Sequence, residues 1–259
     1  MDRSEINLES CAQEPIHIPG AIQPHGALIV LRPADLTVLQ ASRNAGAFFG
    51  ADLRLGGPAP VILDPLNDDI RNWHESSEAV FQTDISDATL TAHRSGGLVI
   101  LEVERSGTQT LGSLFARLRG FAQVLSTQAD VAGSLAAAAR FVHDLTGFDR
   151  VLVYKFDDDW NGHVVAEAGN GRLPSYLDLR FPAGDIPAQA RALYAANRLR
   201  VIPDAAYEPV PIDADRELGT AGSPLDLSFS QLRSVSPVHL EYMHNMGTAA
   251  SMSMSIIID

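Results

Sequence analysis

Residues 87–105 read DATLTAHRSGGLVILEVER, and this stretch decides the fold of the first part of the chain. The runs DATLTAHR and GLVILEVER are rich in residues that favour strands, and Ser95-Gly96 between them is typical of a tight turn. The stretch therefore predicts an antiparallel hairpin. Upstream, GALIVLR (26–32) and LTVLQAS (36–42) predict two more strands. With a short helical segment after them, these elements predict a small α+β sheet domain that ends near Arg105.

The residues after 110 follow a helical pattern instead. Apolar side chains recur at spacings of three and four over 111–145, which predicts two amphipathic helices, and Gly147 is typical of the end of the second. A second α+β domain is predicted from this point on, with helices at the junction between the domains. Its further elements are strands at 150–156 and 163–168, a helix over 188–197 with Pro187 in its first turn, a long polar loop over 203–224, and a last helix and strand.

Charge and composition exclude several classes of function. The 259 residues include 19 Lys and Arg against 32 Asp and Glu, a formal charge of −13, which disfavours binding to nucleic-acid phosphates. No stretch approaches the roughly 20 apolar residues that span a bilayer, and the opening MDRSEINLES lacks the apolar centre of a signal peptide. We therefore expect a cytoplasmic protein that binds neither membranes nor nucleic acid.

Motifs of common enzyme classes are missing from the sequence. CxxC, HExxH, GxSxG, GxGxxG and GxxxxGK(S/T) do not occur, and the eight histidines lack metal-ligand spacing. We expect no catalytic site and no metal site in this chain. The single cysteine, Cys11, excludes an internal disulfide; it is either an inert surface thiol or a nucleophile, and no base stands beside it in the sequence.

Polar side chains near the end of the chain are the first candidate ligands. Ser251, Ser253 and Ser255 alternate with apolar residues, so their hydroxyls share one face of a predicted strand. That face is most often the solvent side of an edge strand, and the alternative is the wall of a ligand cavity. Just upstream, Ser236 at the N-cap and Pro237 at the first helical position predict the start of a helix.

The predicted helix carries a second candidate group. His239, Tyr242 and Met246 fall on one side of it, where they are either core residues or part of the same pocket as the serines. Asp185 lies just before a predicted helix, where a carboxylate usually interacts only with the helix dipole. Three arginines are either solvated or available to bind the carboxylates of an acidic ligand: Arg191, Arg200 and Arg233. These residues alone indicate a two-domain sensor or binding protein with one candidate pocket.

Four longer blocks carry a resemblance to a known family. They are CAQEPIHIPGAIQPHG (11–26), TGFDRVLVYKF (146–156), RFPAGDIPAQARALY (180–194) and LRSVSPVHLEYMHNMG (232–247). In this order, and spread over nearly the whole chain, the blocks resemble those of the bacteriophytochromes. The resemblance implies a PAS domain (antiparallel sheet with short helices) followed by a GAF domain (antiparallel sheet flanked by helices).

The resemblance also implies the cofactor, biliverdin IXα, a linear tetrapyrrole bound in the GAF pocket. In the family the leader cysteine forms a thioether to the A-ring vinyl group, and Cys11 matches it. Plant relatives use a cysteine beside the pocket histidine, where this chain has Val238. The main-chain carbonyl of Asp185 and a water held by His239 would accept the pyrrole N–H groups.

The remaining pocket roles follow from the same match. The resemblance implies that they fall to Arg200 and Arg233 at the B-ring propionate, Ser236, Ser251 and Ser253 near the C-ring propionate, Tyr154, Phe181 and Tyr194 around the D ring, Ile186 and Pro187 on the ring faces, and Tyr242 in the same pocket. One departure from the family signature is Gly184, where serine is usual.

Domain boundaries and partners are implied as well. We expect a leader at 1–25 that threads a GAF loop as a knot, a PAS domain at 26–108, and a GAF domain at 109–259 that lacks the family's last strand and helix. A homodimer through the GAF helices, a PHY domain and an output module such as a histidine kinase are expected of the parent protein. Two alternatives stay open: an engineered near-infrared fluorescent protein, disfavoured by the intact Asp185, and a PAS–GAF module for a nucleotide or haem.

Overall fold

The chain forms two compact units in a computed structural model that describes residues 14–107, 111–214 and 224–257. The first unit comprises the residues up to Ser106 together with those from Ala188 onward, and the second is Gly107–Pro187. Cys11 lies outside the described residues. No helix among the described residues is long and apolar enough to cross a membrane.

A seven-stranded antiparallel sheet forms the frame of the first unit. Its strands lie in the order β1-β11-β3-β2-β6-β5-β4. Their bounds are β1 (Ala21–Ile22), β2 (Gly26–Leu31), β3 (Val38–Ser42), β4 (Val80–Ile85), β5 (Ala88–Ser95), β6 (Leu98–Arg105) and β11 (Val210–Ala214). Two helices, α1 (Gly46–Phe49) and α2 (Asn67–Glu75), connect the strands on one side, with a 3₁₀ turn at Val61–Leu66.

The hairpin predicted at 87–105 is confirmed as β5 and β6, but its turn is one residue later than predicted. Ser95 still pairs with Leu98 in the ladder, and the two turn residues are Gly96 and Gly97. Their φ angles are 56° and 77°. Positive φ at both positions is typical of a type I′ turn, whose twist matches that of the flanking strands, and glycine adopts it without steric cost.

Both faces of the sheet are buried, which explains why β2 and β6 are almost continuously apolar. On one face Ile29 and Leu101 pack with Phe49, Ile70 and the rest of the larger core. On the other face Leu28 and Ile100 pack under Leu227 and Leu232 from the later part of the chain. A strand buried on both sides loses the alternation of a half-exposed strand.

The leader is held between two parts of the segment 203–236. On one side β1 pairs with β11, and on the other Ile22 bridges to Arg233. The Gln23 N–H donates to the Leu232 carbonyl at 2.7 Å. The sequence predicted 203–224 as a loop without secondary structure, which is wrong for β11. The described part of the leader is therefore paired on both sides, and its threading through a loop stays a prediction.

The rest of the first unit carries most of the candidate site. It consists of α5 (Ala188–Ala196), β10 (Leu199–Ile202), α6 (Pro237–Asn245) and β12 (Ser251–Met254). β10 and β12 pair as a separate antiparallel ribbon. Met243 of α6 packs with Ile202 and Val235 in a small core of its own.

The second unit pairs helices with a three-stranded sheet. Its elements are α3 (Leu111–Ser126), α4 (Val131–Thr146), β7 (Arg150–Phe156), β8 (Gly162–Gly169), β9 (Arg180–Phe181) and a 3₁₀ turn at Ala183–Asp185. The Asp130 carboxylate caps α4 by accepting from the Gly133 N–H at 2.7 Å. Gly147 ends α4 with φ of 73°, as predicted. The two units together confirm the predicted α+β fold class.

Candidate functional site

Two buried arginines form the centre of the candidate site in the first unit. Arg200 on β10 and Arg233, three residues before the N-cap of α6, are only 9% and 8% exposed. Arg200 donates from Nη1 to the Gln231 carbonyl at 3.1 Å and from Nη2 to the Arg233 carbonyl. Nη1 of Arg233 is buried and has no hydrogen-bond partner among the described residues.

Within the described ranges, no ion pair joins either arginine to a carboxylate. Burial and the charge of Arg233 lower the pKa of Arg200 to about 10. Burial also lowers the pKa of Arg233. Buried charge is costly unless it is paired and hydrogen-bonded. A ligand that brings a carboxylate to this position would supply the missing partner, since guanidinium groups bind carboxylates in a bidentate geometry.

The serine strand lies beside Arg200. In the β10–β12 ribbon Arg200 is paired with Ser253, and Ile202 is paired with Ser251. Directly opposed residues of an antiparallel pair lie on the same face, so the hydroxyls of Ser251 and Ser253 share a face with the Arg200 side chain. Ser255 follows the end of β12 and donates its N–H to the Arg198 carbonyl. The strand therefore adds hydroxyl groups to a face that already holds a buried cation.

The start of α6 differs from the sequence prediction in one contact. Ser236 is the N-cap and Pro237 is the first helical residue, as predicted, but the Ser236 side chain makes no capping bond. Its hydroxyl donates instead to the carboxylate of Glu14 at 2.6 Å. The hydroxyl therefore contacts a charged carboxylate of the leader, and it does not accept from the N–H groups of the first helical turn.

The helix α6 presents His239 and Tyr242 to solvent. Their rings stack with centroids 6.2 Å apart and an angle of 24° between planes. Both side chains are exposed, as is Met246, so they are not core residues. Desolvation by the surrounding protein and the charge of Arg200 nevertheless lower the pKa of His239.

Aromatic side chains cluster in the second unit. Tyr154 on β7 lies 5.1 Å from Phe156 and 6.0 Å from Phe181, measured between ring centroids. Gly162 makes room for this cluster, because a Cβ there would lie 1.6 Å from Cζ of Tyr154. Two of the three predicted D-ring residues are thus neighbours, and the third, Tyr194, lies on α5 in the first unit.

The other predicted residues that follow this cluster in sequence lie at the end of the second unit and on α5 of the first unit. Asp185 ends the 3₁₀ turn Ala183–Asp185 and is exposed. Ile186 and Pro187 are half-buried. Arg191, predicted as a possible carboxylate ligand, lies on α5 and is half-buried. The roles given to these residues stay predictions.

Three polar residues near the arginines were missed in the sequence. Glu14 bonds Ser236, Gln23 is fully buried and donates from Nε2 to the Val201 carbonyl at 3.0 Å, and Glu102 is a buried carboxylate on β6. The signal for Glu102 is present in the run GLVILEVER, where a charge interrupts an apolar strand. The signals for Glu14 and Gln23 are absent, because both act through contacts with distant parts of the chain.

Comparisons with known proteins identify the domains and the family of the chain. Two protein-family models match the chain, the PAS fold over residues 11–106 and the GAF domain over residues 130–259. The chain is 42% identical to cyanobacterial phytochrome B of Nostoc sp. and 40% identical to a bacteriophytochrome of Xanthomonas campestris. These matches cover 98% of this chain but 36% and 42% of the two relatives, so the chain spans less than half of their length.

A solved structure matches this chain over most of its length. The chromophore binding domain of a Stigmatella aurantiaca phytochrome is 44% identical to this chain and superposes with a TM-score of 0.82. The match covers 95% of this chain and 86% of that one. Similarity at this level over most of both chains reflects a shared family as well as a shared fold.

Proposed function

The chain belongs to the family of bacteriophytochrome chromophore-binding domains, and on this premise we propose that it is the light-sensing fragment of a red/far-red photoreceptor. Its cofactor would be biliverdin IXα, covalently bound to Cys11. The bound bilin supplies light absorption and double-bond isomerisation, while the protein supplies attachment, orientation and charge. The thiol of Cys11 would add across a vinyl group, with its proton going to the second vinyl carbon, so that no other reactant is needed.

The observation that carries this proposal is the pair of buried arginines, neither of which forms an ion pair with a carboxylate in the described part of the chain. Biliverdin has two propionate groups, and one of them would accept hydrogen bonds from Arg233, whose buried Nη1 has no partner within the ranges that the structure describes. Arg200, which donates to the Arg233 carbonyl, would add a second positive charge to the site. A charge-assisted bidentate contact would offset the cost of burying these cations. The donor set therefore fits an acidic ligand.

The hydroxyl and imidazole groups around the arginines would hold the rest of the bilin. Ser251 and Ser253 share the face of Arg200 and would donate to a propionate. His239, on the exposed side of α6, would hold the water that accepts pyrrole N–H groups. The main-chain carbonyl of Asp185 would also accept pyrrole N–H groups, and Ile186 and Pro187 would contact the ring faces. Tyr154, Phe181 and Tyr194 would surround the D ring, and Tyr242 and Ser236 would complete the binding residues.

The wider protein would pass the light signal on. We propose that the parent protein continues into a PHY domain and an output module such as a light-regulated histidine kinase, and that it is cytoplasmic. The helices α3 and α4 expose Leu111, Phe115, Leu118, Val124 and Val131. Such apolar side chains would suit the proposed homodimer contact. The proposed domain limits stay at 1–25, 26–108 and 109–259.

The proposal is tested by mixing the purified chain with biliverdin and recording its absorption spectrum. We expect a far-red band that red illumination bleaches reversibly, and a pigment that stays attached to the chain after denaturation. Replacing Cys11→Ser should leave a pigment that is released on denaturation. A protein that gives no far-red band with biliverdin would contradict the proposed function.

A further inference from the structure

A buried carboxylate of the sheet holds the segment that precedes Arg233. Glu102 is 2% exposed. One of its oxygens, Oε1, accepts from the Ser230 hydroxyl and, at 2.8 Å, from the Leu232 N–H, while Oε2 accepts from the Gln231 N–H at 3.0 Å. Three consecutive residues thus donate to one side chain. A buried carboxylate satisfied by several donors fixes the geometry of those donors.

Among the described residues, no lysine or arginine forms an ion pair with Glu102. The nearest basic group is His93, whose Nδ1 lies 3.7 Å from Oε2, and neither of its ring nitrogens has a hydrogen-bond partner. Burial lowers the pKa of His93 to about 4, so the imidazole is neutral near pH 7. The three donors from residues 230–232 are therefore what stabilises the Glu102 carboxylate.

The segment held by Glu102 leads directly to the arginine pair. The Leu232 carbonyl accepts from the Gln23 N–H at 2.7 Å, and the Gln231 and Arg233 carbonyls accept from Arg200. Gly26 allows Leu232 to approach closely, because a Cβ there would lie 2.8 Å from both Cδ atoms of Leu232. A displacement of residues 231–232 would consequently move the backbone of Arg233 as well.

From this chain of contacts we propose that Glu102 is a positioning residue of the chromophore site, which places the Arg233 guanidinium through the backbone of residues 230–232. The proposal rests on the proposed function, in which Arg233 binds a propionate. It links the seven-stranded sheet to the bilin without any direct contact between Glu102 and the ligand. Loss of the Glu102 carboxylate would weaken the ionic part of bilin binding selectively.

An electrostatic role for Glu102 makes the opposite prediction. Its negative charge raises the pKa values of both Arg200 and Arg233 as a minor contribution, against the larger effect of burial. If this charge mattered more than the hydrogen bonds, its removal would strengthen the attraction of the arginines for an anion. Removal of the Glu102 charge should therefore lower the affinity for propionate if Glu102 acts by positioning, and raise it if Glu102 acts through its charge.

The experiment compares biliverdin with its dimethyl ester, in which both propionates are uncharged. All variants carry Cys11→Ser so that binding is reversible, and dissociation constants are measured by absorbance titration. The preference for the acid over the ester measures the ionic contact alone. Glu102→Gln cannot accept all three donors, and we expect the preference to fall about tenfold, the loss typical of one charge-assisted contact. Ser230→Ala removes one donor without a change in charge, and a smaller loss is expected.

Matched controls separate positioning from general destabilisation. Glu104→Gln makes the same change on the same strand two residues away, and Ser228→Ala makes the same change two residues before Ser230; both should keep the preference of the parent. In the Arg233→Gln background, Glu102→Gln should cause no further loss of preference. An unchanged or increased preference in Glu102→Gln, or a loss of acid and ester binding by equal factors, would overturn the proposal.

A readout without pigment separates this proposal from the proposed function. Hydrogen exchange in the apoprotein should become faster at the amides of Gln231 and Leu232 in Glu102→Gln and stay unchanged in Glu104→Gln. If the parent shows no preference for the acid, the proposed contact of Arg233 with propionate is wrong. Unchanged exchange at residues 231–232 would instead show that Glu102 does not hold the segment.

Discussion

The Ser236 hydroxyl donates to the Glu14 carboxylate at 2.6 Å, although the two residues stand 222 positions apart in the chain. Glu14 comes three residues after Cys11. The bond therefore anchors the leader beside the first turn of α6, close in sequence to the thiol proposed to bind the pigment. Holding a nucleophile near its target raises its effective concentration.

Removal of this anchor should slow covalent attachment. In Glu14→Ala the leader loses its bond to Ser236, and we expect the rate of adduct formation with biliverdin to fall about tenfold, with a smaller change in the final yield. The rate is followed as the growth of absorbance that survives denaturation. Glu75→Ala, an exposed carboxylate at the end of α2, serves as the control. Equal rates in Glu14→Ala and the parent chain would exclude an anchoring role.

Replacement of Arg233 should stabilise the apoprotein and weaken its binding of biliverdin. Arg233→Met removes a buried cation whose Nη1 lacks a partner among the residues described, and the apoprotein should gain about 1–2 kcal/mol in its free energy of unfolding. The same change should weaken biliverdin binding about tenfold or more. Urea unfolding of the apoprotein and pigment titration measure the two effects.

The control for that experiment is Arg43→Met, since Arg43 is exposed and pairs with Asp213 at 3.1 Å. An exposed pair contributes little to stability, so this variant should change the free energy of unfolding by less than about 1 kcal/mol. A less stable Arg233→Met apoprotein would show that the buried guanidinium stabilises the fold through contacts other than those described.

A methyl group at Gly162 should displace Tyr154. The added Cβ would overlap the ring of Tyr154, which must then move away from Phe156 and Phe181. We expect Gly162→Ala to keep covalent attachment but to change the far-red absorption maximum and the extent of bleaching by red light. Gly171→Ala, in a loop with open space around the added methyl, is strained by its φ of 79° but leaves the aromatic cluster untouched. Spectra identical to the parent in Gly162→Ala would remove Tyr154 from the pigment environment.

The buried pair His93 and Glu102 should make stability depend on pH. Burial lowers the pKa of His93 to about 4 from 6.5, so the unfolded chain binds more protons between these values and the stability contributed by His93 is lost as the pH falls through this window. Burial raises the pKa of Glu102 to about 6 from 4.5, which has the opposite sign: stability is lost as the pH rises between 4.5 and 6. The shift of His93 is the larger of the two.

The variant His93→Phe isolates the first effect. Relative to this variant, the free energy of unfolding of the parent should rise by about 3 kcal/mol between pH 4 and pH 6.5. Denaturant unfolding at a series of pH values measures the difference, and His17→Phe, at an exposed histidine, should follow the parent. A difference that is constant with pH would mean that His93 binds its proton equally in the folded and unfolded states.

The sequence predicted most local structure but few of the long-range contacts. Apolar periodicity identified the helices α3 and α4, and strand-forming runs identified β2, β3, β5 and β6, because each pattern reflects burial of its own element. The strand β11 was missed, since Val210–Ala214 contains a proline and forms only because β1 and β3 flank it. Its structure is set by tertiary contacts, which leave no periodic signal.

The candidate site likewise contains residues that the sequence identified and contacts that it did not. The resemblance to the bacteriophytochromes identified Arg200, Arg233 and Ser253, and the structure brings Arg200 close to the other two. The partner of Ser236 was not predictable, because the sequence does not distinguish a serine that caps a helix from a serine that donates to a distant carboxylate. The role of Glu102 was equally hidden, since only the fold reveals which backbone amides face its carboxylate.

The most direct test of the central claim is the intact mass of the denatured chain after incubation with biliverdin, followed by peptide mapping. We expect an increase equal to the mass of one biliverdin, located on the peptide that contains Cys11 and absent from Cys11→Ser. An unchanged mass in the parent chain, or an equal increase in Cys11→Ser, would contradict the claim that this protein holds its pigment through the leader thiol.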